Sequence, residues 1–171
     1  HYRDGKGAFK FKPFWGHTRR EEQQAFERFM DWLDQRRRKH PGLHVYHYAA
    51  YEDTALKKLS SRHATRVALL DTFLRERRLV DMYKVVRESI RASTPSYSIK
   101  DIEKFYREAR EGDVQTAGAS IVYYERYLET GDKSLLEKIE RYNEDDVVSL
   151  QLLHQWLLAQ RPPGMPWRGD G

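Results

Sequence analysis

An α/β fold is predicted by three features of the 171-residue chain. Its β-favouring segments crowd into the N-terminal third, amphipathic helical periodicity dominates the remainder, and no internal repeat or low-complexity tract interrupts either pattern. Hydrophobic residues make up 39% and charged residues 33%, with 11 Tyr, 7 Phe and 4 Trp. That is enough apolar material for one packed core beneath a solvated surface, in a chain too short to expect two domains.

The first element is a hairpin arm. Residues Ala8 to Trp15 alternate apolar and basic side chains after the turn signature Asp4-Gly5-Lys6-Gly7. The chain starts at His1, inside that pattern, so the preceding arm is expected to be mostly missing and the chain to be a fragment of a longer polypeptide. Thr18-Arg19-Arg20-Glu21 is a capping box, and Phe26, Phe29, Met30 and Leu33 follow at helical spacing. A helix is predicted from about Arg19 to Arg38, stopped by His40-Pro41-Gly42.

Leu43 to Tyr48 is short, apolar and β-favouring, which predicts a buried central strand joined to the hairpin arm as a β-α-β unit. From Asp53 to Ile90 the pattern is helical in two or three pieces, with Leu79-Val80 open as a short extended piece. Ser93-Thr94-Pro95-Ser96 marks a loop. Ser98-Ile99-Lys100-Asp101 is a capping box with Asp in place of Glu, opening a helix that carries Ile99, Ile102 and Tyr106. Another helix is expected to begin near Asp113 and to carry Ile121, Tyr124 and Leu128. Gly131-Asp132 separates it from a long last helix, from about Lys133 to Gln160, which ends before Pro162-Pro163-Gly164. Residues 1–161 are therefore expected to form one domain and 162–171 a linker or tail.

Composition narrows the chemistry. The absence of Cys removes disulfides, thiolate metal sites and cysteine nucleophiles, so a metal site must use carboxylates or imidazoles. No apolar run approaches the roughly 20 residues of a membrane span, and no signal segment opens the chain, which makes the cytoplasm the expected compartment. Lys and Arg number 31 against 26 Asp and Glu, a net charge of +5 that favours polyanions such as nucleic acid.

In the last helix Leu136, Ile139, Tyr142, Asp146, Leu150, Leu153 and Leu157 recur at steps of three or four, on one otherwise apolar face. A carboxylate in such a stripe costs several kcal/mol to desolvate unless a cation or donors compensate it. A divalent metal is one compensation, and an ion pair with one of the many Arg residues is the other. Tyr142 stands one turn before Asp146, so its hydroxyl reaches the same region and can hold a water or phosphate there. Glu144 and Asp145 are expected to face solvent. Glu52 follows the strand Leu43 to Tyr48, and the C-terminal ends of strands in open α/β sheets are where sites form. Its alternative role is that of an ordinary acid in the first turn of a helix, favoured by the helix dipole. His44, His47 and His63 match no tight imidazole site, and Asp81 ranks below Glu52 because its apolar neighbours favour a backbone-bonding role. The clusters Arg36-Arg37-Arg38-Lys39, Lys57-Lys58 and Arg75 to Arg78 are expected to be mainly helix-end complements and solvated faces.

Tyr142-Asn143-Glu144-Asp145-Asp146-Val147 resembles the third exonuclease motif of the DEDD superfamily in its tyrosine form, Tyr-x-x-x-Asp. His47-Tyr48-Ala49-Ala50-Tyr51-Glu52 resembles the second motif, and Leu79-Val80-Asp81-Met82 and Ser96 to Glu103 resemble further recurring blocks. From about Phe9 to Gln160 the chain is similar to the YprB-type ribonuclease-H-like exonucleases, a family found also beside helicase modules in RecB-type nucleases. The resemblance implies a ribonuclease-H-like fold, a mixed central sheet flanked by helices, with its first strand missing. It implies a DEDDy-type 3′–5′ exonuclease that hydrolyses DNA or RNA by a two-metal mechanism, with Mg²⁺ or Mn²⁺ held by Glu52 and Asp146 and the attacking water oriented by Tyr142. Nucleic acid, in particular single-stranded ends, is the implied partner, with a helicase or other module in the same polypeptide as a further one. The pattern departs from the family at three points: the first Asp-x-Glu motif is absent, Glu52 replaces the more usual Asp, and Tyr48 stands where many relatives have Asn. Impaired catalysis in this chain is the corresponding expectation. A nuclease-fold module that binds nucleic acid or a helicase without cutting is the alternative, and a helical scaffold with accidental matches a third.

Overall fold

A computed structural model describes residues 1–108 and 117–165. The chain forms two compact units, His1–Ser89 and the residues from Ile90 onward.

The first unit opens with β1 (Tyr2–Arg3) paired antiparallel to β2 (Phe9–Lys10), Tyr2 opposite Lys10 and Arg3 opposite Phe9. Asp4 closes the turn, its Oδ1 accepting the Lys6 and Ala8 N–H groups at 2.9 Å, and Gly7 supplies the required φ of +83°. Of the first arm, expected to be mostly missing, the structure holds the two residues after His1.

Helix α1 (Arg19–Lys39) has the predicted capping box: Thr18 Oγ1 accepts from the Glu21 N–H at 3.2 Å, and the Glu21 carboxylate accepts from the Thr18 N–H at 3.2 Å. Its Phe26, Met30 and Leu33 pack with Leu70 and Phe73 to form the core of this unit. Burying each such side chain contributes about 1.5–3 kcal/mol, so this cluster holds the element pair together.

Strand β3 (Val45–His47) pairs in parallel with β4 (Leu79–Asp81), placing His47 beside Asp81 at the C-terminal ends. The crossover between them is α2 (Tyr51–His63) and α3 (Val67–Arg75), and α4 (Met82–Ser89) follows β4 directly, burying Met82 and Val86. Polar side chains tie the α2–α3 turn to α1. Arg66 grips Asp31 with two bonds of 2.7 and 2.8 Å, Thr65 donates to Glu27 at 2.7 Å, and His63 meets Glu22 at 2.8 Å.

The expected single mixed sheet is replaced among the described residues by two separate two-stranded sheets, one antiparallel and one parallel. The β-α-β crossover likewise runs one step later than expected, from β3 through α2 and α3 to β4 rather than from the hairpin arm through α1. The Phe/Lys alternation of β2 suits a half-solvated antiparallel hairpin, whereas Leu79 and Val80 beside Val45 suit a parallel pair.

In the second unit α5 (Ile99–Ile102) is capped by Ser98, whose Oγ accepts from the Asp101 N–H at 3.2 Å, and runs into a 3-10 turn at Glu103–Phe105. Helices α6 (Ala117–Thr130) and α7 (Lys133–Gln160) pack against each other, joined by Gly131 at φ +72° and by Asp132, which accepts from the Ser134 N–H at 2.9 Å. Ile102, Leu135, Ile139 and Leu153 are buried, and Phe105 and Tyr106 lie against Trp156 with ring centroids 6.1 and 5.9 Å apart. The expected helix start near Asp113 lies outside the described residues, as does most of the expected tail, 166–171.

Candidate functional site

The long helix α7 carries Tyr142 and Asp146 one turn apart, both half-buried. The Lys100 ammonium of α5 lies 5.5 Å from the centre of the Tyr142 ring, a cation–π contact that places positive charge beside the phenol. Next to them, Arg107 donates to the Asp145 carbonyl at 3.3 Å and meets its carboxylate at 3.5 Å. Asp145, expected to face solvent, is half-buried and pairs with Arg107.

The polar residue most deeply buried on α7 is Ser149, fully enclosed one turn beyond Asp145. Its Oγ donates to the buried Glu103 carboxylate at 2.8 Å and lies 3.1 Å from the Tyr106 hydroxyl. Because the serine proton is committed to Glu103, the tyrosine proton must be the one that bonds the serine oxygen. The expected stripe is thus shifted: Leu135, Ile139, Ser149 and Leu153 are buried, while Asp146 stands at the stripe's edge. In the sequence Ser149 is marked only as a serine in an otherwise leucine-rich phase, and Glu103 only as the end of the block Ser96 to Glu103.

Glu52 lies in the first unit, in the first turn of α2, with its side chain 52% exposed. His47, buried at the end of β3, brings Nδ1 to 3.9 Å from the Glu52 carboxylate and bonds the Ala49 carbonyl at 2.7 Å, so that nitrogen carries the proton. Ala49 has a φ of +66°, a conformation sustained on its other side by Asp81, whose Oδ1 accepts from the Ala49 N–H at 2.9 Å and the Tyr83 N–H at 3.0 Å. Asp81 therefore shapes the turn that leads from β3 to Glu52, in the backbone-bonding role favoured by its sequence context. His63 is committed to Glu22 and His44 lies against Tyr46, so the histidines form no cluster.

Tyr142 and Asp146 are brought together on α7, and Glu52 belongs to the other unit. Their oxygens are the kind of donor that Mg²⁺ or Mn²⁺ takes. In number they fall short, since no three His, Asp or Glu side chains among the described residues gather where one ion would need them.

Most of the basic clusters serve structure. Asp34 takes bonds from Arg37 and Arg38, and the Arg37 bond foremost holds its carboxyl below the ordinary aspartate value. Arg75 pairs with Asp71 and Lys57 with Asp53. Arg78 pairs with Glu76 and donates to the carbonyls of Pro41 and Leu43, pinning the start of β4 to that of β3.

Parallel strand ends joined by a helical crossover in the first unit, and a long helix bearing Tyr-x-x-x-Asp in the second, make this an α/β chain. The family model RNase_H_2, of the RNase_H superfamily, matches residues 1–158, and the chain belongs to that family. The match spans both units. No curated protein and no solved structure matches the chain. Domains of this superfamily are generally nucleases that use divalent metals, which makes nucleic acid the substrate class. No helix among the described residues is long and apolar enough to cross a membrane.

Proposed function

We propose that residues 1–161 constitute a single nuclease domain of the DEDDy type, a 3′–5′ exonuclease acting on the ends of DNA or RNA. The observation that carries this reading is the placement of Tyr142 and Asp146 one turn apart on a half-buried face of α7, in a chain of the RNase_H superfamily. In this proposal Asp146 and Glu52 supply carboxylate oxygens to Mg²⁺ or Mn²⁺, and the Tyr142 hydroxyl orients the attacking water. When bound, such cations activate water and neutralise charge on the leaving 3′ oxygen. The Lys100 ammonium over the Tyr142 ring favours the electron-rich phenol and offers a nearby contact for a phosphate.

The test is 3′-end shortening of 5′-labelled single strands by the full-length protein in Mn²⁺. Asp146→Ala is expected to lower the rate by at least about 100-fold, and Tyr142→Phe by roughly 10- to 100-fold with little change in strand affinity. An Asp146→Ala protein as fast as wild type would sink the mechanism.

A second reading, a nuclease-fold module that binds nucleic acid without cutting it, is favoured by the absence of a three-donor cluster among the described residues. It predicts retained strand binding and no shortened product in Mn²⁺. No feature of this chain favours a helicase partner over nucleic acid.

A further inference from the structure

The segment Lys12-Pro13-Phe14-Trp15 folds back on α1 and encloses with it an open cleft of about 380 Å³, lined on the helix side by Arg28, Asp31, Trp32 and Gln35. The walls are aromatic. Phe14 meets Trp32 with centroids 5.9 Å apart and Phe29 at 5.4 Å, and Trp15 stacks on His17 at 5.6 Å. The rim is cationic. Lys12 Nζ stands 5.5 Å from the ring centres of both Phe14 and Trp32, and Arg28 donates to the Trp15 carbonyl at 3.4 Å.

These cations differ from the paired arginines of the same unit in how they are compensated. Arg37, Arg38, Arg66, Arg75 and Arg78 are each neutralised by a carboxylate. Among the described residues Lys12 and Arg28 form no ion pair, and the adjacent Arg3 and Arg36 lie on the rings of Phe9, Tyr2 and Trp32. The one acid in the cleft, Asp31, is held by two bonds from Arg66, so it does not offset the rim. Positive charge over aromatic faces, in a recess of small-molecule size, complements a polymer that carries both phosphates and exposed bases.

We propose that this cleft is a binding subsite for single-stranded nucleic acid, in which a base stacks on Trp15 and the flanking phosphates meet Lys12 and Arg28. A duplex cannot use it, because paired bases hide their faces. The subsite deepens the nucleic-acid reading above and rests on it for the class of polymer, but it uses none of Glu52, Tyr142 or Asp146. Its place in the function is to hold the strand independently of cleavage.

The experiment is fluorescence anisotropy of a labelled 20-nucleotide oligo-dT strand with the full chain in EDTA, where no metal-dependent cleavage intervenes. Trp15→Ala is expected to weaken binding roughly tenfold, about the loss of one stacked base. Lys12→Ala/Arg28→Ala, both exposed positions that leave the core untouched, should weaken binding and flatten the log–log salt dependence by roughly 1.4, the equivalent of two phosphates. Lys133→Ala, on the other unit, should change neither. Unchanged affinity in the Lys12/Arg28 variant, an equal loss in Lys133→Ala, or equal binding of a blunt duplex, heparin or anionic phospholipid vesicles would each overturn the subsite. Loss of the subsite with Mn²⁺-dependent shortening intact would leave the exonuclease reading standing. Normal binding in an Asp146→Ala protein whose shortening rate is unchanged would remove that reading and leave the subsite.

Discussion

Ser149 takes on α7 the enclosed position that the helical pattern assigned to Asp146, and the difference is energetic. A hydroxyl that donates to Glu103 and accepts from Tyr106 is fully satisfied, whereas a bare carboxylate at that depth would need a cation. Ser149→Val keeps the size but leaves Glu103 and Tyr106 without this partner. It is expected to destabilise the protein by about 1–3 kcal/mol, measurable as a lowered urea midpoint, while Ser149→Thr costs less. The candidate site residues and the buried bond divide on the same grounds. Tyr142 and Asp146 were legible because a spacing of four puts them on one helix face whatever the tertiary structure does. Glu103 was not, because its partner lies 46 residues away and no local pattern announces it.

At the scale of elements, the N-terminus of α1 depends on two neighbours in sequence. A Cβ on Gly16 would come within 2.5 Å of the Glu22 nitrogen and 2.6 Å of the Glu21 carbonyl carbon, and backbone cannot move aside as a side chain can. Gly16→Ala is therefore expected to displace Trp15 and His17 from α1, lowering the thermal midpoint and altering the near-ultraviolet circular dichroism of the tryptophans. Thr18→Ala removes only the cap, costing about 1 kcal/mol, and should leave that aromatic signal unchanged. The boundaries of α1 and α7 were readable for the same reason that these substitutions matter: capping boxes, Asp132 after Gly131, and the Pro162-Pro163 stop are local chemistry. The strands were less readable. Segments of two or three residues carry too little periodicity to name their partners, so the hairpin arm, β3 and β4 were located while their grouping into sheets was not.

Across the molecule, charge has two uses. In the first unit Glu22, Asp31 and Asp34 are all held below their ordinary values, chiefly by bonds from His63, Arg66 and Arg37 respectively. An acid whose folded pKa is depressed contributes stability that is complete above its unfolded value, and that contribution disappears as pH falls through the folded one. The first unit should thus hold its stability from neutrality to about pH 5 and lose it progressively below about pH 4. Asp34→Asn should lower the urea midpoint at pH 7, by a margin that narrows as pH falls from 7 to 3. A constant gap between the two across that range would remove Asp34 from the explanation. These acids neutralise the arginines around them, and the excess positive charge of the chain is left to act elsewhere, including on the rim of the Lys12–Trp32 cleft.

By itself the sequence determined the α/β class, the extents of α1 and α7, and the Tyr142–Asp146 pair, because all of these follow from spacing and capping within a few residues. Tertiary structure alone decided that the described strands pair as two separate sheets, that Arg107 takes Asp145, that Ser149 and Glu103 share a buried bond, and that Lys12 and Arg28 frame an aromatic cleft. Each of those depends on which distant segment arrives opposite, and that is settled by burial of the whole apolar surface rather than by any local pattern.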